Sequence, residues 1–119
     1  MTLKEYQKQA MTTCMPSCKN YSYMMLNLVS EVGELTGLVA KAIRKGHANI
    51  INGQLCVDEE EIDFSAFDNA FGSELGGVLW QLASLCTVMG YDFEEVAKAN
   101  LAKLKARKES GTIVEHEDH

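Results

Sequence analysis

Positive charge is scarce in this sequence. Eleven lysines and arginines stand against 17 aspartates and glutamates, for a formal net charge of −6. Nonspecific nucleic-acid binding requires a basic face, so this balance argues against that class. No apolar run approaches the length of a membrane span, and the opening MTLKEYQKQA lacks the apolar core of a secretion signal. Both absences lead to the expectation of a soluble, cytoplasmic protein. Histidine is sparse as well, and His47, His116 and His119 are too scattered for a metal triad. The four cysteines, Cys14, Cys18, Cys56 and Cys86, are joined by no second Cys/His pair at zinc-site spacing. Cys86 lies inside an apolar helical stretch, so reduced and mostly buried thiols are expected. There is no glycine-rich phosphate loop, no serine or cysteine nucleophile with a plausible base, no internal repeat and no low-complexity segment.

What is present is helical periodicity. The chain of 119 residues suits one domain over 1–119, with a helical core over about 2–110 and a loose tail at 111–119. A chain this short with long helices often completes its core by oligomerising. Thr2-Leu3-Lys4-Glu5 has the form of a capping box and opens a first helix that Pro16 ends. A second helix is predicted from about Tyr21 to Lys45, with Met25, Leu28, Val29, Val32, Leu35, Val39 and Ile43 on its apolar face and Gly46 as its stop. Asn52-Gly53 between short apolar runs predicts a hairpin-like excursion over 46–66. A third helix is predicted over about Phe67 to Met89, with Phe71, Leu75, Val78, Leu79, Leu82, Leu85, Cys86 and Met89 facing inward. Asp92 then caps a fourth that runs to about Glu109. The expected architecture is all-α: a small four-helix bundle with an insertion between the second and third helices.

Within the second helix, Glu31 and Glu34 stand at i and i+3 on one face. Paired carboxylates on a bundle helix are one way to hold Mg²⁺, a hard cation that prefers oxygen ligands, although most such pairs are solvated surface. Apolar residues surround this pair, and a buried charge without a partner is costly. Glu74 on the third helix poses the same problem among Phe71, Leu75, Val78 and Leu79. Three carboxylates in apolar helices call for a common cation. On the fourth helix Asn100, Lys103 and Arg107 form one stripe, offering an amide, an ammonium and a guanidinium to a polyphosphate, or simply a solvated face.

These pieces together resemble the MazG-like branch of the all-α nucleoside triphosphate pyrophosphohydrolases. They are Glu31-Val-Gly-Glu34-Leu35, Glu74-Leu-Gly-Gly-Val-Leu-Trp80, Gly90-Tyr-Asp-Phe-Glu-Glu-Val-Ala97 and Asn100-Leu-Ala-Lys103-Leu104-Lys-Ala-Arg107. The similarity spans roughly Leu26 to Gly111 with the hairpin outside it, and the ending Arg107 to Ile113 is similar to that of phage-type members. The resemblance implies a Mg²⁺ site, with Mn²⁺ as a substitute, of the pattern E-x-x-E…E-x-x-D. Glu31, Glu34 and Glu74 match its first three positions as metal ligands and catalytic residues. It implies substrate binding by Asn100, Lys103 and Arg107, while Trp80 is core or a base-contacting ring at the pocket edge. The implied activity is hydrolysis of a nucleoside or deoxynucleoside triphosphate to the monophosphate and pyrophosphate. The implied assembly is a homodimer or a tetramer made of dimers.

The sequence departs from that pattern at the fourth ligand, where Gly77 replaces aspartate. Water in place of the lost ligand, substitution by Gln81, Asp63 or Asp68, and loss of catalysis with retention of the fold all remain open. In the last case the chain is a nucleotide-binding or assembly module. Tight helix packing is the expected role of Gly76. The tail departs too, with Glu115 and Glu117 where glycines are expected.

Overall fold

The structure is a computed structural model and describes residues 1–112. The described residues form four α-helices and one two-stranded sheet: α1 (Leu3–Ala10), α2 (Tyr21–Arg44), β1 (Ala48–Ile51), β2 (Gln54–Val57), α3 (Phe64–Met89) and α4 (Phe93–Ser110). The expected loose tail, with His116, His119, Glu115 and Glu117, lies outside the described residues from Ile113 onward.

Local signals account for most boundaries. The Thr2 hydroxyl accepts from the Glu5 N–H at 3.1 Å while the Glu5 carboxylate accepts from the Thr2 N–H at 3.3 Å, a reciprocal cap. Helix α1 ends at Ala10, well before Pro16, and the chain continues through 3-10 turns at Met11–Thr13 and Pro16–Lys19. The last turn of α2 closes by bonds from the Gly46 N–H to the Ile43 carbonyl and from the His47 N–H to the Ala42 carbonyl, both 2.9 Å. Asn52 (φ 53°) and Gly53 (φ 76°) are both left-handed, as the two-residue turn of a twisted hairpin demands, and β1 pairs antiparallel with β2 from Ala48↔Val57 to Ile51↔Gln54. Helix α3 starts three residues before the expected Phe67, because Asp63 caps it by accepting from the Ala66 N–H at 3.2 Å. Asp92 caps α4, and Gly111 (φ 70°) ends it.

Close contacts divide the chain into two compact units, one made of the first 21 residues and those from Ala83 onward, the other of Ser22–Leu82. In the first, Tyr6 packs its ring 6.5 Å from that of the buried Phe93. Gln7 donates to the Thr87 hydroxyl and the Tyr91 carbonyl, each at 3.0 Å, and accepts from the Phe93 N–H at 2.9 Å. The structure pairs Cys14 with Cys18, their Cα atoms 5.9 Å apart, where the sequence led us to expect reduced thiols. The helical turn between them brings the Cα atoms within bridging range. Cys56 and Cys86 are free.

In the second unit α2 and α3 run antiparallel where they meet, since Glu31 lies against Gly77 and Glu34 against Glu74. Met24, Ala42, Ala48 and Gln81 are buried there, and Phe67 stacks on Phe71 at 6.4 Å. A cleft of about 350 Å³ opens between Leu38, Ala42, Ile62 and Phe67, with Lys41 and Lys45 on its wall. Many of the apolar residues expected inward are not buried: Val29 is 69% exposed, Leu75 48%, and Val32, Ile43, Leu79 and Leu82 are exposed as well. Periodicity identifies a face, but a single chain of this length supplies too little partner surface to cover it. Among the described residues, no helix is long and apolar enough to cross a membrane.

Candidate metal centre

Helical spacing alone puts Glu31 and Glu34 on one side of α2, and the pairing of α2 with α3 brings Glu74 to face them. The structure closes the group: one carboxylate oxygen from each lies within 4.8 Å of the others. Glu31 and Glu74 are half-buried and Glu34 is exposed. Partial desolvation pushes the Glu74 carboxyl above its usual range. The Glu34 charge, a hydrogen bond shared with Glu34 and the Glu31 charge push it the same way. Three like charges this close need a proton or a cation between them. Among the residues of Ser22–Leu82, no lysine, arginine or histidine lies in ion-pair range of these three carboxylates.

The substitutes considered for the missing fourth ligand separate clearly. Asp63 is committed to the cap of α3, and neither it nor Asp68 joins the carboxylate group. Gln81, one turn beyond Gly77 on the same face, is 5% exposed, and its Oε1 has no hydrogen-bond partner among the described residues. Such an acceptor costs about 1–3 kcal/mol while it lacks a donor. Gly76 does not serve close packing within this chain, for a Cβ built there meets nothing within 4 Å. At Gly77 the result is the opposite. A Cβ there would lie 2.6 Å from Glu31 Oε2, so the position faces the acidic group as its spacing with Glu74 requires. Sequence reasoning missed that contact, because it depends on the pairing of α2 with α3.

Asn100 and Lys103 are exposed on α4 and Arg107 is half-buried one turn on. Trp80 is half-buried on α3. The Asp92 cap that starts α4 is held ionised: partial desolvation opposes this, but N–H bonds from Glu95 and Glu94 and the nearby Lys4 ammonium pull its carboxyl below the usual range. Lys4 Nζ lies 3.5 Å from Asp92 Oδ2.

A mostly helical chain with one two-stranded sheet thus carries three glutamates side by side on two antiparallel helices. Residues 19–112 match the family described as MazG nucleotide pyrophosphohydrolase domain, and the chain belongs to that family. It is also 32% identical over 97 residues to the Gene 37 protein of Mycobacterium phage L5, an overlap covering 82% of this chain and 74% of that protein. No solved structure matches it.

Proposed function

We propose that this chain is a Mg²⁺-dependent nucleoside triphosphate pyrophosphohydrolase, converting an NTP or dNTP to the monophosphate and pyrophosphate. The observation that carries the reading is the group of Glu31, Glu34 and Glu74, on a chain of a pyrophosphohydrolase family. The donor set fits a hard divalent cation: three carboxylates within 4.8 Å of one another, and the orphaned Gln81 oxygen one turn from Gly77 as an acceptor for ordered water. In this reading Glu31, Glu34 and Glu74 hold Mg²⁺ or Mn²⁺. When bound, the metal neutralises phosphoryl charge and lowers the pKa of water.

The chain's own groups supply the rest. Alternatively, one of the two α2 glutamates gives up its place on the metal and orients the attacking water, accepting its proton as the bond between the α and β phosphates breaks. Lys103 and Arg107 bring positive charge to phosphate oxygens, Asn100 donates its amide, and Trp80 offers a ring to the base. Preorganised charge is what phosphoryl transfer mostly requires of a protein. The proposal includes a cytoplasmic homodimer or dimer of dimers that takes no nucleic acid. Support for assembly comes from the exposed apolar side chains Leu26, Val29, Leu75 and Leu79 on α2 and α3.

The test is pyrophosphate release from a panel of NTPs and dNTPs, with and without Mg²⁺ or Mn²⁺. Metal-dependent release that Glu74→Gln abolishes is expected. No release at any metal concentration, from folded protein, refutes the reading.

A further inference from the structure

We infer that Lys41 and Lys45 hold the outer phosphates of the triphosphate, the two that depart as pyrophosphate. The inference rests on the pyrophosphohydrolase reading above and deepens it by giving the substrate a direction in the site.

The unit Ser22–Leu82 carries the three carboxylates, and its lysines and arginines are Lys41, Arg44 and Lys45. Lys41 and Lys45 wall the cleft of about 350 Å³, which Ile62 and Phe67 complete; Arg44 does not line it. This cleft continues the groove of the acidic centre. Leu38 on its wall is one turn beyond Glu34 on α2, and Phe67 is two turns before Glu74 on α3. Lys41 follows Glu34 by about two turns, ~10.5 Å of helix rise, and so shares its face. Side chains of a helix lean toward its N-terminus, which turns Lys41 and Lys45 toward the carboxylates.

These lysines have no acid of their own within the unit. Glu61 pairs with His47 at 3.7 Å, Asp63 on the cleft wall accepts from the Ala66 N–H as the cap of α3, and within Ser22–Leu82 neither lysine has a carboxylate in ion-pair range. Three crowded carboxylates with two unpaired ammoniums beyond them suit a polyanion that meets the acids through a cation and the lysines directly. The cleft floor of Leu38, Ala42, Ile62 and Phe67 is apolar. Lysine stems cover such a surface with their heads at the rim, and exclusion of water strengthens the attraction of those heads for an anion.

The direction follows from charge. The pyrophosphate half of a triphosphate carries more negative charge than the single phosphate left on the nucleoside, so it belongs at the cationic end. The bond between the α and β phosphates then lies over the carboxylates, and the nucleoside points toward the end of the groove where α3 carries Trp80.

A basic last turn also suits the C-terminal pole of α2, a role that needs no ligand and treats Lys41, Arg44 and Lys45 alike. The experiment separates the two. Binding of pyrophosphate and of a nucleoside monophosphate, each with Mg²⁺, is measured by calorimetry on wild type, Lys41→Gln, Lys45→Gln, Lys41→Arg and Arg44→Gln, with Mn²⁺ affinities and ligand-free thermal midpoints alongside. A charge-assisted hydrogen bond corresponds to roughly 10–100-fold in affinity, and that loss is expected for pyrophosphate in Lys41→Gln. Lys45→Gln should weaken pyrophosphate in the same direction, and Lys41→Arg should keep most of the affinity. Arg44→Gln should match wild type, and monophosphate and Mn²⁺ binding should stay unchanged throughout. Unchanged pyrophosphate affinity in both glutamine variants refutes the inference and, with midpoints lowered equally in all three, assigns the lysines to the pole of α2. An equal loss in Arg44→Gln, or one shared equally by the monophosphate, refutes it too. Wild type that binds Mn²⁺ but no pyrophosphate overturns the inference and leaves the metal site standing. No Mn²⁺ binding by folded wild type overturns the pyrophosphohydrolase reading, and the inference with it.

Discussion

Replacing Gln7 with alanine should destabilise the protein far more than its place on a short terminal helix suggests. One side chain makes three hydrogen bonds, at 3.0, 3.0 and 2.9 Å, to Thr87, Tyr91 and Phe93. Each such bond contributes about 0.5–1.5 kcal/mol net, and two of these are solvent-exposed, so the expected loss is about 1.5–3 kcal/mol. A domain of this size shifts its midpoint by about 3–5 °C per kcal/mol, giving a fall of about 5–15 °C. The Phe93 N–H belongs to the first residue of α4, the helix that bears Asn100, Lys103 and Arg107. Denaturant melts at fixed protein concentration measure the change. Gln7→Glu keeps the acceptor for the Phe93 N–H but loses both donors, and it should fall between wild type and Gln7→Ala. If Gln7→Ala lies within about 0.5 kcal/mol of wild type, the range of ordinary surface substitutions, the three bonds do not anchor α1.

Glu74→Gln removes one of three crowded charges; it should raise the metal-free thermal midpoint while weakening Mn²⁺ binding, and a fall in both would refute the crowding argument. The depressed Asp92 carboxyl contributes stability that is complete above its ordinary pKa near 3.8 and lost as pH falls through its lower folded value. Acid melts of Asp92→Ala should accordingly converge on wild type at the lowest pH and diverge from it above about pH 4. Lys103→Ala and Arg107→Ala should each lower kcat/KM for the triphosphate by roughly 10–100-fold, the worth of a charge-assisted bond, whereas Lys98→Ala leaves it unchanged.

The legible part of the fold was written within a few residues of each boundary. Thr2 with Glu5, Asn52 with Gly53, Asp92 and Gly111 each act on near neighbours, and each marks an observed end or turn. The start of α3 falls three residues before its expected place because Asp63, weighed in the sequence as a substitute metal ligand, serves as a cap that reaches only three residues ahead. What could not be read depends on residues distant in sequence. The joint made by Gln7 and the approach of Glu31 to Gly77 leave no local pattern. Exposure is invisible for the same reason: the stripe containing Val29 and Leu75 is a property of sequence, but its covering is a property of neighbours. The acidic residues themselves were legible by type and spacing. Their convergence within 4.8 Å needed the antiparallel pairing of two helices.

The Gln7 joint also sets an order in time. Its partner Thr87 lies 80 positions along the chain. At translation rates of ~5–20 residues per second, about 4–16 s pass between synthesis of α1 and synthesis of the residues that hold it. Eight residues are too few for a helix to persist alone in water. On the ribosome, then, α1 emerges before the residues that hold it and docks late, and for those seconds it is open to whatever chaperone or protease meets the nascent chain.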